Sequence, residues 1–413
     1  MSQVLIIGGG FGGVWSAAAA ARLRYEAGVL PDDLTITLVA PGDHMVIRPR
    51  LYEASPEDMC VPLDRILAPI GVHQVQAMVT EIDTAARTAV VQMADGTAAP
   101  LPYDRLVIAV GSELVRPDLP GAEFLYDIDT LPAAVALDTH LKNLATRPAG
   151  PGRFTAVVVG AGFTGLELST ELVGRLHAIA DPIGAADEVE VILVERADVV
   201  GPELGPGPRP VIEKALAELG IRQRLGTTLA GLDSESVRLS DGTTIPTRTV
   251  AWTAGMRANP LTSAIPGQRD ELGRLKVDSD LRVSGVEAVY AAGDVAAARV
   301  ESNHRAMQSC QHAHAMGKHA GRNAAADLLG LPRVAFTPDP YVTCLDLGGA
   351  GAVFTSGWDR DVQSVGEPAK DLKRSINRLI YPPVDNAAEI LRGADYQSES
   401  RVPQPTGTAA KTA

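Results

Sequence analysis

Twice in this chain an apolar run leads straight into closely spaced glycines. Residues 4–7 are followed by Gly8, Gly9, Gly10, Phe11, Gly12 and Gly13, and residues 156–159 by Gly160, Ala161, Gly162, Phe163, Thr164 and Gly165. Each glycine run opens a helix-compatible segment. Glycines let the backbone approach an anion closely, and the helix N-terminus adds free N–H groups and partial positive charge, a combination that cradles a pyrophosphate. One match carries little weight. Two, each between a strand and a helix, predict a chain that holds two dinucleotides, and the usual use of that arrangement is electron transfer between them. A carboxylate stands where such sites need one: Glu195 ends the second strand of the second unit, placed to accept from adenosine ribose hydroxyls and to repel a 2′-phosphate. Arg196 beside it pulls the other way.

The elements that must carry these residues follow from periodicity. The first unit reads strand 4–7, Ala-rich helix 14–24 and strand 34–39, then short strands near 77–82 and 88–92 with Asp95-Gly96 as a hairpin-type turn. Residues 103–111 form another buried-strand run, ending at Gly111. A Pro/Gly-rich stretch at 147–152 precedes the second unit: strand 156–159, helix 164–180, strand 189–194, helix 209–219 and a strand-like run 248–255 ending at Gly255. A third apolar run, 288–292, ends in Gly293-Asp294 and suggests that the chain returns to the first unit. A helix at 306–329 and a C-terminal region to about 391 follow. The predicted fold is α/β: two Rossmann-like dinucleotide-binding domains, the first (1–125 and 270–328) interrupted by the second (126–269). A small C-terminal α+β domain (329–392) and a disordered tail (393–413), rich in Ser, Thr, Pro and Ala, complete it.

Composition narrows the function. The chain has 413 residues, 46% hydrophobic, so it can build several cores and is not a disordered chain. A net charge of −13 with no basic stripe argues against nucleic acid. Cys60, Cys310 and Cys344 are too few for a disulfide framework, which favours a reducing cytoplasm. The first strand starts within three residues, leaving no room for a signal peptide, and no apolar run approaches the ~18–20 residues of a membrane span.

Three strings are specific: Gly160-Ala-Gly-Phe-Thr-Gly-Leu-Glu167, Trp252-Thr-Ala-Gly-Met-Arg-Ala-Asn-Pro260 and Tyr290-Ala-Ala-Gly-Asp294. With them the chain, from about residue 3 to 385, resembles the two-dinucleotide flavoprotein disulfide reductase superfamily. Within it the likeness is to the type II NADH dehydrogenase and apoptosis-inducing-factor-like branch. The resemblance implies FAD on the first fingerprint, NADH rather than NADPH on the second, and hydride transfer from nicotinamide to flavin, for which the protein supplies orientation. It places Asp294 on the FAD ribityl chain, Glu167 near the flavin–nicotinamide contact, and Gln311 beside the opposite flavin face. It completes the cofactor set with Val79, Ala109, Gly111, Gly255, Gly293 and Ala313. A quinone-type acceptor is its first implication. A soluble reductase or oxidase acting on another metabolite or O2, and a redox sensor of the apoptosis-inducing-factor kind, stay open. At most peripheral membrane contact and a homodimer are compatible with it.

The chain departs from that pattern in places. Ala40 stands where the first half usually carries an acid, so FAD adenosine contacts fall to backbone groups, Asp43-His44, and Arg48 or Arg50. The family helix Ala-Gln-x-Ala-x-Gln-x-Gly reads here Cys310-Gln311-His312-Ala313-His314-Ala315-Met316-Gly317: one Gln is kept and the other is Ala315. Cys310 and Cys344 invite a redox reading, set against buried Cys as a small hydrophobe. His304, His312, His314 and His319 invite a metal, but no carboxylate or second Cys joins them at ligand spacing. They read instead as pocket lining or as satisfied core histidines. Residues 371–380 form a short basic amphipathic stretch, read as a solvated helix packed on the body, with weak membrane contact as the alternative.

Overall fold

The computed structural model describes residues 2–301 and 303–397. The first apolar run is the strand Ser2–Ile7, central in a parallel sheet because β-branched and Leu side chains bury on both of its faces. Leu34–Ala40 pairs on one side (Ile7 against Val39), followed by His73–Gln76. Arg105–Ile108 pairs on the other (Ile7 against Ile108). The outermost strand is Val289–Ala291, with Ala291 opposite Ile108, so the chain does return to its first sheet after an excursion.

That excursion forms a second parallel sheet, ordered Arg222–Arg224, Glu190–Val194, Thr155–Val159, Thr249–Trp252. The outbound strand Ser112–Leu114 and the returning strand Met256–Ala258 pair antiparallel with each other. Each unit also carries a three-stranded antiparallel sheet, at Met78–Pro102 and Leu229–Pro246. The C-terminal unit is a three-stranded antiparallel sheet, Val342–Asp346, Ala352–Ser356 and Asp361–Gly366, covered by the helix Glu367–Leu379. The architecture is the two-Rossmann, α/β arrangement that the glycine runs predict.

Three helix starts differ from expectation. The fingerprint helices begin earlier, at Phe11 and Phe163, because the last glycines of each motif already lie inside the first turn. The helix expected from 306 begins at Cys310, where the Ser309 hydroxyl accepts from the His312 amide as an N-cap. This helix, Cys310–Leu329, crosses the N-terminal helix at close range. A Cβ at Gly317 would stand 2.6 Å from the Gly12 carbonyl oxygen, and one at Gly321 1.9 Å from that of Ser16.

The first residues of the expected tail are packed on the body. Ala394 is buried, Asp395 pairs with Arg22, and the Tyr396 ring meets His319 and Arg322, so packed side chains anchor 394–396. Residues 398–413 of that tail lie outside the described residues. Among the described residues no helix is long and apolar enough to cross a membrane.

Candidate active site

The strands of both parallel sheets end at one cleft, of about 1610 Å3. This is where an open α/β sheet presents its binding loops. Gly8, Gly10, Phe11, Gly12, Asp43, His44, Val79, Ala109, Gly111, Gly293, Asp294 and Ala313 line it from the first unit. Gly162, Phe163, Thr164, Glu167 and Gly255 line it from the second, and Gln311 reaches it from the crossing helix.

The two glycine loops share one construction. Gly8 holds φ +120°, and a Cβ there would sit 2.2 Å from the Ala109 carbonyl oxygen. A Cβ at Gly13 would sit 1.8 Å from the Gly8 oxygen, and one at Gly165 1.7 Å from that of Gly160. By contrast a Cβ at Gly10 meets nothing within 4 Å, and one at Gly162 meets only Glu203 Oε2 at 3.9 Å. Neither helix has a side-chain cap at its N-terminus. Each loop is thus crowded behind and open in front, with uncapped amides facing the cleft, which fits a diphosphate. Gly13, Gly160 and Gly165 shape the loops from behind and do not line the cleft.

Asp294 follows Gly293 (φ +76°) in the short helical turn just beyond the last strand of the first sheet. Its carboxylate accepts from the Ser112 hydroxyl at 2.6 Å and lies 3.7 Å from Arg48 Nη1. Arg48 in turn pairs with Asp129 and donates to Ser112 Oγ at 2.8 Å. Burial pushes the Asp294 carboxyl up, and Ser112 and Arg48 pull it back. Of the two arginines weighed for this side, Arg48 lines the cleft. Arg50 does not, because both arms of its fork are taken by Glu53 at 2.7–2.8 Å on the same short turn.

Glu167 is buried at 6% exposure, one turn along the second fingerprint helix from Phe163. Its Oε1 accepts from Lys373 Nζ at 2.7 Å and from the Asp346 amide at 3.1 Å. Lys373 also donates to the Cys344 carbonyl at 3.1 Å. Burial pushes the Glu167 carboxyl up, against the pull of Lys373. Burial alone would lower Lys373, but the adjacent carboxylate holds its ammonium above the ordinary range. Lys373 lies in the stretch read from sequence as a solvated basic face. Its helix is packed on the C-terminal sheet as that reading expected, but Ala369, Lys373 and Asn377 face inward, one turn apart. Basic residues at 373 and 374 look alike in sequence, and only a partner 206 positions away separates them.

Gln311 lines the cleft, but its amide is already engaged: Nε2 donates to the Pro340 carbonyl at 3.0 Å and Oε1 accepts from the Val342 amide at 3.4 Å. It fastens the entry of the C-terminal sheet. Ala315, at the place of the absent second Gln, does not line the cleft. Glu195 stands behind the second loop, its two oxygens accepting from the Ala161 amide at 2.7 Å and the Ala197 amide at 2.9 Å. Cys310 and Cys344 are free thiols, pushed up to about 11 and about 12 by burial, hence un-ionised at neutral pH. The histidines disperse: His304 stacks on Trp358, His314 lies tilted against Trp15, and His319 meets Phe336 edge-on, while His312 is buried with Ser309 at 3.0 Å. Sequence reasoning missed Ser112, Trp358 and Arg360 at this cleft, and Asp346 beside Glu167, which no local motif marks.

Comparison with known proteins agrees with this geometry. The model of the family described as pyridine nucleotide-disulphide oxidoreductase matches residues 2–317. A NADH dehydrogenase-like protein of Mycobacterium tuberculosis is 46% identical over 406 residues, covering 97% of this chain and all of that one. A type II NADH:quinone oxidoreductase of Staphylococcus saprophyticus is 25% identical, over 91% of this chain and 94% of its own length. The structure of NDH2 from Plasmodium falciparum in complex with NADH superposes with a TM-score of 0.75 at 14% identity, covering 95% of this chain and 96% of that one. The chain belongs to the pyridine nucleotide-disulphide oxidoreductase family and is an oxidoreductase of its NADH dehydrogenase-like branch.

Proposed function

We propose that this chain takes a hydride from NADH onto FAD and delivers the electrons to a small acceptor of the quinone type. The observation that carries the reading is that two glycine loops of the same construction open into one cleft, with Glu167 between them. When bound, FAD supplies the two-electron acceptor that also lets electrons leave to a second substrate. The chain's own residues position and exclude. The first loop and Asp294 fit the diphosphate and ribityl hydroxyls of FAD, and the second loop fits the dinucleotide of NADH. The Glu167–Lys373 pair keeps a polar, dry centre between them. Glu195, behind the second loop, supports NADH over NADPH. The quinone-type acceptor draws support from the name of the Staphylococcus saprophyticus relative.

One observation favours a second reading, a small acceptor other than a quinone: the Gln311 amide is occupied by backbone and Ala315 is off the cleft. Reduction of the FAD-loaded protein by NADH, then reoxidation timed with menaquinone, ubiquinone and O2 in turn, decides between them. Fast reoxidation by a quinone and slow reoxidation by O2 is the expected result. Slow reoxidation by both quinones would remove that acceptor class.

A further inference from the structure

The side of the cleft facing the second glycine loop includes the tight turn that joins Ala352–Ser356 to Asp361–Gly366. Two of its residues have left-handed backbones, Gly357 at φ +71° and Arg360 at φ +56°. For glycine this conformation costs little. For arginine it costs free energy that a glycine in the same place would avoid. The geometry of the turn therefore gives no reason for an arginine.

Its side chain is only partly satisfied as a structural group: the guanidinium meets the Tyr341 hydroxyl and has donors left over. Arg360 is 6% exposed, and its Nη1 is buried without a hydrogen-bond partner. Beside it, Trp358 Nε1 is also buried and unpartnered. Both residues line the cleft. Trp358 is held by stacking between His304 at 4.1 Å and Tyr341 at 4.4 Å, while the Arg360 guanidinium lies 5.3 Å from the Tyr341 ring and 6.0 Å from that of Phe163. The turn is seated against the second unit, since a Cβ at Gly207 would stand 2.8 Å from the Arg360 carbonyl oxygen. A buried guanidinium is costly unless an acceptor meets it, and arginine's planar fork suits phosphate. Phe163 directly follows Gly162, and Glu167 lies one turn further on. These two N–H donors thus face the stretch between the open face of the glycine loop and the polar centre. Glu203 faces the same stretch, near Gly162, and a cation there also offsets its repulsion of an anion.

We propose, resting on the nucleotide reading above, that Arg360, with Trp358 beside it, binds the nicotinamide-side phosphate of the dinucleotide. The C-terminal unit thereby completes a nucleotide site otherwise built by the second unit. The test is calorimetric titration of the FAD-loaded protein with NAD+, nicotinamide mononucleotide and nicotinamide riboside, which differ in their phosphates. Arg360→Gln should weaken the first two by on the order of 10- to 100-fold, the range of a charge-assisted hydrogen bond, and leave the riboside unchanged. Arg360→Lys should lose less, since it keeps the charge and gives up the fork. Arg360→Gly relieves the left-handed backbone, so it should fold at least as well by thermal melting while losing the same phosphate-dependent affinity. Equal weakening of all three ligands would make Arg360 a packing residue and overturn the assignment, as would unchanged binding of all three. A wild type that binds none of them, and whose flavin NADH does not reduce, would remove the nicotinamide reading and this assignment together. Failure confined to the variants leaves wild-type reduction intact.

Discussion

The two glycine loops make the same turn by different means. In both, a Cβ on the last glycine would stand under 2 Å from the carbonyl oxygen of the first. Behind the second loop, Glu195 ties the Ala161 and Ala197 amides together. Behind the first stands Ala40, against which a Cβ on Gly9 would come to 2.9 Å. One half is braced by a carboxylate, the other by small-residue packing. The first half shows that the loop shape does not require an acid; in the second, both Glu195 oxygens are taken up by the brace.

The largest effect on ligand binding should come from Gly13→Ala and Gly165→Ala. Each forces a methyl into a backbone oxygen, and overpacking of this kind costs typically ~1–3 kcal/mol, occasionally more. Gly13→Ala should abolish flavin retention, and Gly165→Ala should spare flavin but abolish nucleotide binding. Gly10→Ala, with open space around it, should leave the melting temperature unchanged. Flavin content and nucleotide titration of the three variants check this, and loss of both ligands in both loop variants would erase the distinction between the halves.

Next comes the polar centre between them. Lys373→Met leaves Glu167 buried without its cation, which should cost about 3–5 kcal/mol. The double variant with Glu167→Gln should recover much of that loss. Chemical denaturation of the single and double variants measures it; additive losses would mean that the two side chains do not act as a pair.

Each half also holds a buried histidine that burial keeps neutral. His140, hydrogen-bonded to Thr249 in the second unit, and His312, in the first turn of the crossing helix, are both pushed down to about 4, chiefly by burial. The unfolded chain protonates these rings near 6.5, so it binds more protons than the folded chain between about 4 and 6.5. Stability contributed by their burial is full above that window and is lost as pH falls through it, by up to about 3 kcal/mol per ring. Denaturation midpoints at pH 7 and 4.5 should show this fall, and His140→Gln should flatten it. An unchanged slope in that variant would assign the acid sensitivity to other groups.

The smallest effect is expected at Glu195. Glu195→Ala should narrow the preference for NADH over NADPH by about 1–3 kcal/mol, the worth of a charge-assisted hydrogen bond. Because the same carboxylate braces the Ala161 amide, affinity for both nucleotides should also fall. Steady-state kcat/KM for the two nucleotides separates the effects. An equal fall for both would leave Glu195 as a brace alone.

These contrasts also mark what sequence makes legible. The strand–glycine–helix units, the return of the chain at Gly293-Asp294 and the α/β class are local patterns, and periodicity with glycine spacing reports them directly. Lys373 and Arg360 are different. Their roles depend on Glu167 and Phe163, about 200 residues away in sequence, and a charged side chain looks the same whether it points to water or into a cleft. Gln311 shows the intermediate case. Its place beside the cleft follows from the motif, but the backbone of Pro340 and Val342 that occupies its amide does not. Of Arg48 and Arg50, two positions apart, Arg50 is the less apt because Glu53, three residues on, captures its fork.

The central claim, that one cleft brings an NADH and an FAD together, is tested most directly by anaerobic titration of the purified protein with NADH while the flavin absorbance is followed. About one bound FAD per chain should be bleached by one equivalent of NADH. A protein that cannot be reconstituted with FAD, or whose FAD stays oxidised under excess NADH, would contradict the account.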